Sequence, residues 1–136
     1  MAEWFGKDVF KLGFGLMRLP HKEDGSNDME QIIKMVDLFI EGGGTYFDTA
    51  YVYDGGKSEE AFKQAVVDRG LRDKVTIATK LNAGIPGLDA ETARQQFNTS
   101  LERTGAGYFD YYLLHALGRN NRQKYDDLNC GIMCRD

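Results

Sequence analysis

Apolar strand-like runs alternate with amphipathic helical segments about four times along the 136 residues, which predicts a parallel α/β architecture. Runs such as Val75-Thr76-Ile77-Ala78 and Tyr111-Tyr112-Leu113-Leu114 are apolar almost throughout, as strands covered on both faces must be. Four side chains with proton-transfer chemistry, Asp48, Tyr53, Lys80 and His115, fall at or just beyond the ends of such runs. Parallel strands bring their C-terminal ends to one rim, so residues far apart in sequence become neighbours there. The predicted fold class is α/β of the (β/α)8 TIM-barrel type. A doubly wound sheet would carry a glycine-rich turn straight after its first strand, whereas Gly42-Gly43-Gly44 precedes a strand and reads as a helix stop. A whole barrel takes about 250 residues, so this length predicts four βα units, half a barrel.

Each element has its own signal. Trp4 to Phe10 reads as a short N-terminal β-hairpin turning at Gly6 to Asp8, leading into a first barrel strand over Lys11 to Leu16. Met29, Ile32, Ile33, Val36 and Ile40 repeat at helical spacing and predict a helix with one apolar face. Asn27 with Glu30 three residues on has capping-box spacing, and the three glycines end the helix. A strand at about 45–49 follows, then a loop with Asp54, Gly55 and Gly56. Ser58 is the expected cap of a second helix burying Ala61, Phe62, Ala65 and Val66 and stopping near Gly70. A strand over 75–81 and a loop from Asn82 to Leu88 lead to a third helix, capped by Asp89, with Ala93, Phe97 and Leu101 on one face. Tyr108 to Leu114 is the fourth strand, and Lys124 to Leu128 begins a fourth helix.

Composition narrows the function classes. Lys and Arg number 17 against 21 Asp and Glu, a net charge of -4, which gives no electrostatic footprint for nucleic acid or an anionic membrane. No apolar run is long enough to span a bilayer, and the first residues lack a basic region followed by an apolar one. Cys130 and Cys134 are the only cysteines; they make neither a disulfide framework nor, without further Cys or a nearby His, a metal site. A reducing cytoplasm is the expected compartment.

The chain resembles the aldo-keto reductase family from about Lys11 to His115. The resemblance is carried by Gly44 to Tyr53 with Ser58-Glu59, by Ala78-Thr79-Lys80, by Asp110 to His115 and by the first-strand motif Leu12 to Arg18, all in the family's order. Leu16-Met17-Arg18-Leu19-Pro20 is also similar to bacterial members that carry a C-terminal iron–sulfur segment. The resemblance implies reduction of an aldehyde or ketone by hydride transfer from NADPH, with Asp48, Tyr53, Lys80 and His115 as the catalytic set and Tyr53 as general acid. It also implies cofactor contacts at Gly15, Leu16, Met17, Arg18 and Asp48, with much of the remaining grip on NADPH coming from the second half of the barrel.

The chemistry of those roles can be stated independently. A carbonyl oxygen gaining charge needs a proton, and a free phenol of pKa ~10 holds its proton too tightly near neutrality. An ammonium beside it favours the phenolate; Lys80 supplies one, and Asp48 can hold Lys80 in place. His115 would orient the carbonyl and donate to the developing oxyanion. Taken singly, each residue has a plainer reading: Asp48 as a cap or turn residue, Tyr53 as packing surface beside Tyr46 and Tyr51, Lys80 as solvated, His115 as structural. Gly13 and Gly15 read equally as a crowded strand, and His21 as simply exposed. Placement of all four at one rim favours the catalytic reading over these. Two rivals remain: a Schiff-base lyase using Lys80 as nucleophile, and a regulatory protein that keeps the scaffold without turnover.

Half a barrel has a physical consequence. Its outer strands carry unpaired edges, and its inner face, expected to include Phe47, Ile77, Tyr111 and Leu113, has no opposite wall. Each such side chain left wet forfeits roughly 1.5–3 kcal/mol. The expectation is a truncated N-terminal half, residues 1–136, that self-associates and on its own binds NADPH weakly with little turnover.

Overall fold

The computed structural model of the chain describes residues 9–129. The expected hairpin at 4–10 and the cysteines at 130 and 134 lie largely or wholly outside that range. Four parallel strands form one sheet in the order β1-β2-β3-β4: β1 Phe14–Gly15, β2 Tyr46–Asp48, β3 Thr76–Leu81 and β4 Tyr111–Leu114. Consecutive strands are neighbours throughout, as in a barrel; a doubly wound sheet reverses order at a switch point. Helices α1 Met29–Glu41, α2 Lys57–Phe62 and α3 Ala90–Thr104 connect the strands, and α4 Arg122–Asp127 follows β4. The sheet is therefore a partial (β/α) barrel.

One core lies between the sheet and α1 and α2. Ile32 and Val36 of α1 and Ala61, Phe62, Ala65 and Val66 of the second helix are fully buried against Phe47 and Ile77. The sequence reading put Phe47 and Ile77 on an open inner face, and the structure corrects it: both point to the helices and are 0% exposed. Side chains alternate along a strand, so Tyr46, Asp48, Ala78, Lys80, Tyr111 and Leu113 take the opposite, inner face. There Tyr46 and Tyr111 meet at 5.8 Å across small Ala78, and Leu113 is 39% exposed. Burial, with Asp48 and Tyr111 nearby, pushes the Tyr46 phenol above its ordinary value.

Several boundaries differ from the sequence reading. β1 is two residues long, not six; Gly13 is needed because a Cβ there would stand 2.9 Å from the Tyr46 ring. The α1 cap is Asp28, whose carboxylate accepts from the Gln31 amide at 3.2 Å; Asn27 instead donates to the Lys57 carbonyl. Ser58 does not cap α2 but sits buried within it, and the capping position is Gly56 with φ +97°. Beyond Phe62 that helix widens into a π turn, Lys63–Val67. Asp89 does cap α3, in a reciprocal box with Thr92. The buried face of α3 is Ala93, Gln96, Ser100 and Thr104, and Phe97 packs edge-on against Phe109 and Tyr112. β4 begins at Tyr111, not Tyr108, because Tyr108 is taken up beneath the Arg72 guanidinium.

Arg72 fastens the N-terminal side of the sheet. It donates to the carbonyls of Val75, Ala106 and Tyr108 and to Asp110, whose carboxylate also accepts the Ile77 amide at 2.8 Å. No helix among the described residues is long and apolar enough to cross a membrane.

Candidate active site

Three strand ends supply three of the four expected residues. Asp48 closes β2, Lys80 is the penultimate residue of β3, and His115 directly follows β4. Backbone pairing sets their heights: the Thr49 amide donates to the Ala78 carbonyl and the His115 amide to the Leu81 carbonyl, both at 2.9 Å. Lys80 Nζ donates to Asp48 Oδ1 at 2.6 Å and to the Thr49 carbonyl. The pair is mostly enclosed, with the Lys80 side chain 12% and the Asp48 side chain 31% exposed.

Tyr53 comes from a loop and not from a strand. It opens the short 3-10 turn Tyr53–Gly56, which places its ring centre 4.8 Å from Lys80 Nζ and 5.6 Å, nearly perpendicular, from the His115 ring. All four expected residues thus converge. Burial, reinforced by the Lys80 charge and opposed by Asp48, lowers the His115 pKa, so its imidazole is neutral near pH 7. Its Nδ1 is buried without a hydrogen-bond partner.

The residues that hold this arrangement include several that sequence reasoning missed. Ser58 donates to the Leu16 carbonyl and is 2.6 Å from Thr49 Oγ1, tying the ends of β1 and β2 to α2. Glu59, fully buried, accepts from Thr79 Oγ1 at 2.7 Å and pairs with Arg103. Tyr125 of α4 places its hydroxyl against the carbonyls of His115 and Leu81 and the Ala83 amide. In the sequence Ser58 reads as a helix cap and Ser58-Glu59 as part of a motif; Arg103 and Tyr125 carry no local signal. His21 is exposed, as expected, but it is also bonded: its Nε2 is 2.6 Å from Asp54 Oδ2, beside Tyr53.

The expected cofactor contacts divide by exposure. Gly15 is open, with nothing within 4 Å of the position a Cβ would take, and Met17 and Arg18 are exposed beyond it. The Leu16 side chain is buried in the helix-side core, and its amide and carbonyl are engaged by Asp48 and Ser58. Gly15 is the direct sheet partner of Asp48, so its open backbone lies beside that carboxylate, and Arg18 is an exposed cation three residues on. Among the described residues no cluster of His, Cys, Asp and Glu could hold a metal ion.

The partial barrel gathers an Asp–Lys pair, a tyrosine and a histidine at its C-terminal rim, and comparison with known proteins gives its class. The Aldo/keto reductase family pattern matches residues 11–129, and the chain belongs to that family. It is 41% identical over 134 residues to an NADP+ aryl-alcohol dehydrogenase of Phanerodontia chrysosporium, covering 85% of this chain and 35% of that protein. It is 29% identical to the aldo-keto reductase YhdN of Bacillus subtilis, covering 81% of this chain and 35% of that protein. An aldo-keto reductase from Klebsiella pneumoniae, solved in complex with NADPH, superposes with a TM-score of 0.72 at 28% identity, covering 93% of this chain and 42% of that one. The chain spans about a third of the length of these curated relatives.

Proposed function

We propose that this chain carries the proton-transfer centre of an NADPH-dependent reductase of aldehydes or ketones, with Tyr53 as general acid. The supporting observation is the ammonium of Lys80, anchored by Asp48 and aimed at the Tyr53 ring. NADPH, when bound, supplies the hydride that the carbonyl carbon receives. Tyr53 gives its phenolic proton to the carbonyl oxygen, breaking one O–H bond and forming another, and takes a proton back from solvent. The Lys80 ammonium stands 4.8 Å from the ring centre of the tyrosine that gives up the proton. Neutral His115 presents an N–H to the same oxygen; one such donor is worth about 3–4 kcal/mol in the transition state. Gly15, Met17, Arg18 and Asp48 line the cofactor side, with Leu16 fixing the backbone between them.

A Schiff-base lyase would need a free lone pair on Lys80. Its nitrogen is instead committed as a donor to a carboxylate and a carbonyl, which favours the reductase. Loss of NADPH with a panel of aldehydes separates a reductase from a regulatory protein that binds the cofactor without oxidising it.

Residues 1–136 are read as the N-terminal half of such a barrel, in the cytoplasm. β1 and β4 are the outermost strands, and Leu113 is exposed on the inner face, so a second copy covering this face is the expected state. The chain alone should bind NADPH weakly and turn over little. Light scattering with a cofactor titration tests this: a stable monomer that binds NADPH tightly would overturn it.

A further inference from the structure

We propose that Arg103, on α3, is a positioning residue for Tyr53, acting together with the buried carboxylate of Glu59. The inference rests on Tyr53 being the proton donor. Glu59 is fully buried on α2, and burying a carboxylate is costly unless it is paired and hydrogen-bonded. Its Oε1 accepts from Thr79 Oγ1 at 2.7 Å, one residue before Lys80, and its Oε2 lies 3.3 Å from Arg103 Nη1.

The same nitrogen of Arg103 donates to the Tyr51 carbonyl at 2.9 Å, and the guanidinium stands 4.6 Å from the Tyr51 ring centre. At the far end of the loop it fills the space beside Gly56, where a Cβ would come within 2.6 Å of Arg103 Cζ. One guanidinium therefore binds one end of the segment that carries Tyr53 and packs beside the other.

That segment has little to hold it by itself. Asp54, Gly55 and Gly56 all have positive φ, at 50°, 62° and 97°. Its own backbone bonds include Tyr53 to Ala50 at 3.1 Å, Gly55 to Val52 at 3.4 Å and the Lys57 amide to the Asp54 carbonyl. Left-handed backbone persists only where its surroundings impose it. The contacts on its other side, His21 with Asp54 and Lys57 with the Gly25 carbonyl, are exposed and so worth little. Both partners of the Tyr53–Lys80 contact thus hang from one buried carboxylate, Lys80 through Thr79 and Tyr53 through Arg103.

The test is NMR of the labelled chain, with Tyr53→Phe used to assign the Tyr53 ring. Arg103→Met should abolish the Tyr53–His115 ring cross-peak and speed amide exchange at Tyr53 and Gly55 about tenfold, with Phe47 and Ile77 unchanged, since local opening is separable from global unfolding. Should a lone Glu59 prevent folding, the double variant Glu59→Gln/Arg103→Met is read in the same way. A folded Arg103 variant with wild-type cross-peak and exchange would overturn the proposal. So would acceleration shared equally by Phe47 and Ile77, or failure of both variants to fold, either of which marks the pair as a stabiliser only. The effect of Tyr53→Phe on turnover tests the proton-donor reading separately.

Discussion

The hydroxyl of Tyr125 lies 2.7 Å from the carbonyl oxygen of His115, so the short helix α4 reaches back and fastens the strand end that carries the histidine. The same oxygen meets the Leu81 carbonyl at 3.1 Å and the Ala83 amide at 3.3 Å, with Tyr125 2% exposed. Tyr125→Phe keeps the ring and leaves these buried groups without their partner. It should cost about 1–3 kcal/mol, read as a lower urea midpoint at unchanged slope.

Arg72 joins the starts of β3 and β4 through three carbonyls and Asp110, with the ion pair largely enclosed. Arg72→Ala leaves Asp110 without its cation, and the expected loss is about 3–5 kcal/mol. Because this site lies at the opposite ends of the strands from Tyr53, the Tyr53–His115 ring contact should survive in whatever fraction stays folded.

Lys80 and Asp48 differ in what their loss does. Lys80→Met removes the charge beside Tyr53, while Asp48→Asn leaves the ammonium in place with a weaker anchor. Both should lower any NADPH-dependent turnover, Lys80→Met by about 100-fold or more, the low end of what a positioned proton-transfer group contributes. Parallel rate measurements on the two variants check the order.

Stability should fall on the acid side in a way that His115 controls. Its folded pKa lies below the ordinary 6.5 because burial and Lys80 disfavour the imidazolium. Below that value the unfolded chain binds a proton that the folded chain does not yet take. Stability is therefore full above about pH 6.5 and is lost as pH falls from there through the lower folded value. His115→Gln should flatten that part of a urea-midpoint profile.

Much of this was legible in the sequence, and the gaps have physical causes. The apolar face of α1, the buried face of α2, the Asp89 cap and the span of β3 all rest on local periodicity or capping chemistry. The rim residues were legible because parallel strands bring their ends together whatever the loops do. The inward phase of β2 and β3 was not, since strands apolar on both faces give no alternation to say whether Tyr46 or Phe47 faces the helices. β1 was overextended because Gly13 serves the Tyr46 ring and not a ladder. Ser58 has the look of a cap, yet its hydroxyl is claimed by Leu16 and Thr49, contacts that only the fold creates. Glu59 with Arg103, and Arg72 with Asp110, are buried or half-buried charges whose partners lie 44 and 38 residues away, beyond the reach of any local rule.

The central claim is that Tyr53 delivers the proton in an NADPH-linked carbonyl reduction. The most direct measurement is the rate of NADPH loss with an aldehyde substrate for the wild-type chain and for Tyr53→Phe, at protein concentrations high enough to read slow turnover. The account predicts a small wild-type rate that falls by at least about 100-fold in the variant, the scale of a lost general acid, with the fold unchanged. Equal rates in the two proteins would contradict it.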